Sequence, residues 1–171
     1  GGRQDFEADM AALMKTLGLS IVLIYLIMAI LFESAILPLS ILLSIPLAFM
    51  GVNIALWAAG YPLDPMVVVG MVLLAGVVVN NAIVMIDLVQ RLRAQGVPRR
   101  EAILAGSVER LRPILMTALT TIFGLFPTAW PWMFPGAGQT SGYESMAITV
   151  MGGLAFSTFF TLFVVPIFYT F

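Results

Sequence analysis

The sequence predicts an all-α polytopic membrane protein built as a five-helix transmembrane bundle, and three observations carry that prediction. Of 171 residues, 61% are hydrophobic and only 10% charged, where a soluble domain carries about a quarter. Between Thr16 and Tyr61 the single charged residue is Glu33, so this stretch far exceeds the roughly 20 apolar residues that one crossing needs. Six of the eight basic residues, Arg91, Arg93, Arg99, Arg100, Arg110 and Arg112, fall in one connection, the pattern that orients a polytopic chain.

Residues 1–15 read as a helical lead-in, with Phe6, Met10, Leu13 and Met14 on one side. The opening Gly1-Gly2-Arg3-Gln4-Asp5 has no initiator methionine and no basic region ahead of a short apolar core, so it reads as a cut end and not as a signal peptide. A first span covers about 16–32. The chain must then turn back, and Glu33-Ser34 followed by Pro38 is where it can. A second span, about 36–59, contains Pro46, which predicts a kink. Its Gly51, Ala55 and Ala59 form a small-residue ridge suited to helix packing.

The third span, about 65–88, opens cleanly, because Asp64 can cap orphan backbone N–H groups and Pro65 needs no donor at the first helical position. A charged connection, 91–112, follows. Its 98–108 stretch predicts a short amphipathic surface helix with Ile103 and Leu104 toward lipid or protein. The arginines there read first as an orientation signal and second as an anionic-lipid site. A fourth span covers about 113–130 and a fifth about 146–171.

The basic connection belongs in the cytoplasm, and alternation sets the rest. The N-terminus, the 60–64 turn and the 131–144 loop face the periplasm, while Glu33-Ser34 and the C-terminus are cytoplasmic. Trp57, Tyr61, Trp130, Trp132 and Tyr143 cluster at the outer interface and Tyr169 at the inner one, as interfacial aromatic anchors do.

Polar residues inside the spans are the candidates for chemistry. Asn80-Asn81 lies near mid-membrane, and Gly76, Asn80 and Asp87 share a helix face. On the fourth span Arg110, Thr117, Thr121, Gly124 and Thr128 make one polar and small stripe. Such faces suit packing against each other, at about 1 kcal/mol per interhelical hydrogen bond, or a shared polar core. Glu33, Asp64 and Glu144 sit at turns and Asp87 near a helix end, so no span carries a carboxylate or lysine at its middle. Asparagine does not titrate; the chain offers no central proton carrier of its own.

With no cysteine and no histidine, the chain cannot form disulfides, Cys/His zinc sites, or thiolate and imidazole nucleophile systems. No enzyme chemistry, metal site or cofactor is expected. A net charge of -1 provides no global field for nucleic acid.

The run from Gly76 through Asn80-Asn81 to Asp87, the run Arg110-Leu111-Arg112-Pro113-Ile114-Leu115-Met116-Thr117, then Gly152-Gly153-Leu154 and Val165-Pro166-Ile167-Phe168-Tyr169, resemble resistance-nodulation-division (RND) multidrug efflux pumps. Phe32-Glu33-Ser34 and Pro38 match that family's tight turn, and the similarity is greatest to its hydrophobe/amphiphile branch. The resemblance implies the last five helices of the second six-helix half, in a bacterial inner membrane. It also implies a homotrimer that works with the remaining half, a periplasmic adaptor and an outer-membrane channel.

In the family, protons pass between two aspartates of the first half and polar or basic residues of the second. The resemblance puts Asn80, beside Asn81, where many members carry a lysine, Arg110 at the network's arginine and Thr117 at its threonine, with Asp87 and Thr121 as a supporting polar face. A lysine there would favour ionised aspartates, so Asn80 eases their protonation. The implied function is proton-driven export of hydrophobic or amphiphilic compounds, inactive without the missing half. Two alternatives remain at this point: a non-transporting membrane assembly module, and a related component that exports lipids or proteins.

Overall fold

A computed structural model describes residues 1–130 and 142–170, and the side chains of all of these except 40 and 164–170. The 131–144 loop up to residue 141, with Trp132, lies outside the described residues, as do the side chains of Val165 to Tyr169. Six helices run in order: α1 (Gly2–Phe32), α2 (Ile36–Leu42), α3 (Ser44–Ala59), α4 (Pro65–Ala94), α5 (Arg99–Ala129) and α6 (Glu144–Thr170). With α2 and α3 counted as one crossing, five segments among the described residues are long and apolar enough to span a membrane. Among the described residues there is no strand, and the all-α polytopic class read from the sequence is borne out.

Helix α1 fuses the lead-in and first span into one rod of 31 residues, about 46 Å at 1.5 Å per residue. It therefore overshoots a hydrocarbon core of roughly 30 Å. No proline interrupts it, and Leu17 and Met28 are its buried anchors, while Leu19, Leu23, Ile27 and Ile30 are exposed. The chain leaves through Glu33 at φ 48°, a left-handed conformation that non-glycine residues seldom adopt. Two local bonds hold this turn: Ile36 N–H donates to Ser34 Oγ (3.3 Å) and the Tyr25 hydroxyl to the Ala35 carbonyl (3.4 Å).

The kink predicted at Pro46 is a helix boundary at Leu43, one turn earlier. Proline has no N–H for the Leu42 carbonyl and its ring crowds that carbonyl, so the ladder opens there. Ser44 Oγ donates to the Ile41 carbonyl across the break. The predicted cap of α4 is present, with Asp64 Oδ1 accepting from Val67 N–H at 2.9 Å. The helix continues past residue 88 to Ala94, and Gly96, at φ 87°, follows its end.

Helix α5 departs most from expectation. The short surface helix and the fourth span are one helix through Pro113. The proline orphans only the Glu109 carbonyl, and Glu109 is exposed, so solvent or headgroups can satisfy it. Packing supplies the rest, because Ala102, Ile103 and Gly106 are buried and Gly106 lies tight against Val89 of α4.

Helix α6 is the hub, packing on α3, α4 and α5, while α1 leans on α4. Close approach at the hub needs residues without a side chain. A Cβ on Gly152 would overlap Ala55, and one on Gly153 would overlap Leu74. From the predicted ridge, Gly51 faces Phe156 and Gly152 and is buried, whereas Ala59 is exposed. Leu74, Val52, Val67 and Leu154 fill the core around these contacts.

Candidate functional site

The polar residues of α4 and α5 lie along the uncovered side of the bundle. Gly76 and Asn80 are exposed and Asn81 is half-buried. Among the described residues, neither asparagine side chain makes a hydrogen bond, so they do not fasten α4 to its neighbours in this chain. Gly76 and Gly124 have open space where a Cβ would stand, hence the two small-residue faces do not pack on each other. Helices α4 and α5 instead turn their larger apolar faces to α6, with Leu74, Val67 and Val78 from α4 and Ala118 and Ala129 from α5 in one cluster.

The α5 stripe changes character along its length. Arg110, at its base, is half-buried, and its Nε is buried without a partner, as is Ser107 Oγ one turn before it. Higher up, Thr117, Thr120 and Gly124 are exposed and Thr121 is half-buried. The threonines form a relay of back-bonds on their own helix: Thr117 Oγ1 donates to the Pro113 carbonyl at 2.9 Å and Thr121 Oγ1 to the Thr117 carbonyl at 2.8 Å. Both bonds leave the hydroxyl oxygens free to accept from outside.

Asp87 is held by Arg91 (3.0 Å) one turn further along α4. With both side chains largely exposed, this pair is a surface salt bridge of small energetic weight. The structure does not join Asp87 to Asn80 or Arg110 by a hydrogen bond or ion pair.

Sequence reasoning missed a polar clasp at the opposite end. Asp64, read only as a cap, also accepts from Ser145 Oγ through Oδ2 (2.8 Å), and the Tyr61 hydroxyl donates to Glu144 Oε2 (2.7 Å). Together they tie the α3–α4 turn to the first turn of α6. The bond to Glu144 raises the Tyr61 hydroxyl above its ordinary pKa, helped by burial and by the carboxylate's charge. Partners 81 and 83 residues apart leave no local signal in a sequence. Among the described residues no cluster of three or more carboxylates could hold a metal ion.

The comparisons bear on this helical frame as a whole. The AcrB/AcrD/AcrF family model matches residues 2–171. The chain belongs to that family. The RND efflux-pump resemblance read from the Asn80 and Arg110 runs is thereby borne out. Among the family's relatives, the swarming motility protein SwrC of Bacillus subtilis is 42% identical over 167 residues, 95% of this chain. The multidrug resistance protein MdtC of Erwinia tasmaniensis is 36% identical over 166 residues, 96% of this chain. A crystal structure of a heavy metal efflux pump superposes with a TM-score of 0.80 at 31% identity, covering 99% of the chain. In each case the chain spans 16% of the relative's length. It corresponds to a membrane-domain segment of an RND transporter.

Proposed function

We propose that this segment provides the second-half side of a transmembrane proton pathway in an RND exporter of hydrophobic or amphiphilic compounds. The observation that carries the reading is Arg110, a half-buried guanidinium with an orphaned buried Nε at the foot of an exposed polar stripe. Buried polar groups are paired in finished structures, so this one supports a site completed by further protein. Exposed Gly76, Asn80, Thr117 and Gly124 point the same way, since lipid offers no partners to amides and hydroxyls. The missing side would bring the titratable carboxylates that the middles of these spans lack.

In this reading Arg110 sets the charge balance of the pathway, Thr117 and Thr121 present acceptors along it, and Asn80 and Asn81 hydrogen-bond without titrating. Asp87 serves the surface end. The segment transports nothing by itself and catalyses no reaction. It sits in the inner membrane with its N-terminus periplasmic, within a trimer joined to a periplasmic adaptor and an outer-membrane channel. That relatives named for multidrug resistance, heavy metal efflux and swarming motility share this helical frame supports placing cargo selection outside it. A non-transporting assembly module would draw on the same lack of a central acid, but it gives no reason to leave Arg110 Nε buried and unpaired.

The test is a substitution series in the intact transporter, at matched abundance and with the trimer verified. Arg110→Ala deletes the charge and is expected to abolish export. Arg110→Lys keeps the charge but loses the planar five-donor geometry, and is expected to leave export impaired. Thr117→Ala should be milder, because one neutral hydrogen bond contributes about 1 kcal/mol. Full export in Arg110→Ala would return the stripe to helix packing.

A further inference from the structure

Among the described residues two buried side-chain polar atoms lack a hydrogen-bond partner, Ser107 Oγ and Arg110 Nε, and they belong to residues one turn apart on α5. Ser107 has a partner within reach on its own helix and does not use it. Thr117, Thr121 and Thr149 each donate to the carbonyl four residues back, at 2.7–2.9 Å, whereas the Ser107 hydroxyl leaves the same bond to Ile103 unmade. Its proton and its lone pairs are both uncommitted.

Steps of four and three place Ile103, Ser107, Arg110 and Ile114 on one side of α5. Ile103 and Ile114 are buried, so the two polar residues interrupt a stripe that is otherwise apolar and turned inward. Gly106 holds this part of α5 against Val89 of α4. From that contact, two antiparallel helices rising 1.5 Å per residue bring Arg110 level with Met85, a buried residue whose thioether is a weak acceptor. Asp87, the carboxylate at this level of α4, is engaged by Arg91.

Between Thr117 and the arginine-rich end, a proton path along α5 meets a chemical gap. Arg110 lies seven residues, about 10 Å, from Thr117. Its guanidinium donates hydrogen bonds, accepts none and keeps its proton. Another group must therefore carry a proton past it. From residue 82 to residue 116 the only hydroxyl side chain is that of Ser107, and a hydroxyl both accepts and donates.

We propose that Ser107 carries protons past Arg110, between the polar stripe of α5 and the arginine-rich end of the bundle, by way of water held between Ser107 Oγ and Arg110 Nε. This role rests on the proton-pathway reading and extends it to the buried side of Arg110. Side chains three positions apart on a helix stand about 5–6 Å apart at Cβ, a gap that one water with two hydrogen bonds bridges. A protonated water gives its proton to a lone pair of Ser107 Oγ as the hydroxyl releases its own proton to the next water. One O–H bond forms, one breaks, and the serine ends neutral. Arg110 stays charged, and its Nε–H orients the water oxygen without entering the transfer.

The test is proton flux through the intact transporter, in vesicles that hold a pH-sensitive dye, with a pH gradient imposed and a transported amphiphile added. Ser107→Ala should slow this flux about five-fold or more, the worth of one hydrogen bond. It should leave the protein no less stable to heat, because it removes a buried polar atom that has no partner. Ser107→Thr and Ser107→Val share one shape, and only threonine keeps a hydroxyl. Threonine should retain most of the flux, and valine should match alanine. In heavy water the alanine and valine variants should slow further than the unsubstituted protein, since proton delivery has become limiting. Normal flux in Ser107→Ala, or equal flux in the threonine and valine variants, would overturn the role of Ser107. Arg110→Ala separates this from the pathway as a whole. Flux lost there but kept in Ser107→Ala and Ser107→Val overturns Ser107 alone; flux kept in Arg110→Ala overturns the pathway and Ser107 with it.

Discussion

Asn80 stands where the resemblance sets a lysine beside two carboxylates, and the difference has a direction. A positive charge nearby stabilises the ionised carboxylate and lowers its pKa, so protonation then requires more acid. Asn80→Lys in the intact transporter should therefore move the pH profile of transport toward lower pH, by about one to three units for a charge a few ångströms away. An unchanged profile would remove Asn80 from the pathway. At the other end, Tyr61 bonds Glu144, and its folded pKa lies above the ordinary tyrosine value of about 10. A raised pKa means this contribution is fully present below pH 10 and is lost as the pH rises through the folded value. Tyr61→Phe should lower thermal stability by on the order of 1 kcal/mol at neutral pH, with the deficit shrinking above pH 10. A deficit independent of pH would assign the effect to packing of the ring.

Among the helices, the turn sites were legible because their causes are local. Glu33-Ser34 interrupts an apolar run, and Asp64-Pro65 pairs a capping side chain with a residue suited to the first helical position. Pro46 marked a disturbance but not its position, since the freed carbonyl belongs to Leu42 and the ladder opens beside it. Pro113 misled for the converse reason: prolines favour helix starts, yet burial of Ala102, Ile103 and Gly106 against α4 carries α5 straight through. The clasp was not legible, because it joins residues distant in sequence whose separate identities are unremarkable. The predicted polar stripe of α5 was legible from spacing; that it begins half-buried at Arg110 and is exposed at Thr117 depends on tertiary packing.

Glycine contacts separate packing from assembly at this scale. Gly153→Leu must displace Leu74 and Val52 and should cost about 1–3 kcal/mol or more by overpacking, read as loss of folded protein after extraction. Gly124→Leu meets open space within this chain. In the intact transporter it should leave the bundle's own stability unchanged while impairing transport, because it intrudes on the proposed missing half. Normal transport in that variant would leave the uncovered face facing lipid.

For the molecule as a whole, the proposed topology of five crossings puts the ends of the chain on opposite membrane sides, with the arginine-rich 91–112 connection cytoplasmic. In a cysteine-free background, a single cysteine at Leu63 should react with an impermeant thiol reagent in intact cells, whereas one at Gln95 should not. Labelling at Gln95 would invert the orientation. The proton pathway itself is tested most directly by flux. The intact transporter, reconstituted into vesicles with an imposed pH gradient, should release protons when a transported amphiphile is added. In Arg110→Ala at equal trimer content, that substrate-driven flux should fall to the level of empty vesicles. Proton flux equal to the unsubstituted protein would contradict a pathway through this half of the membrane domain.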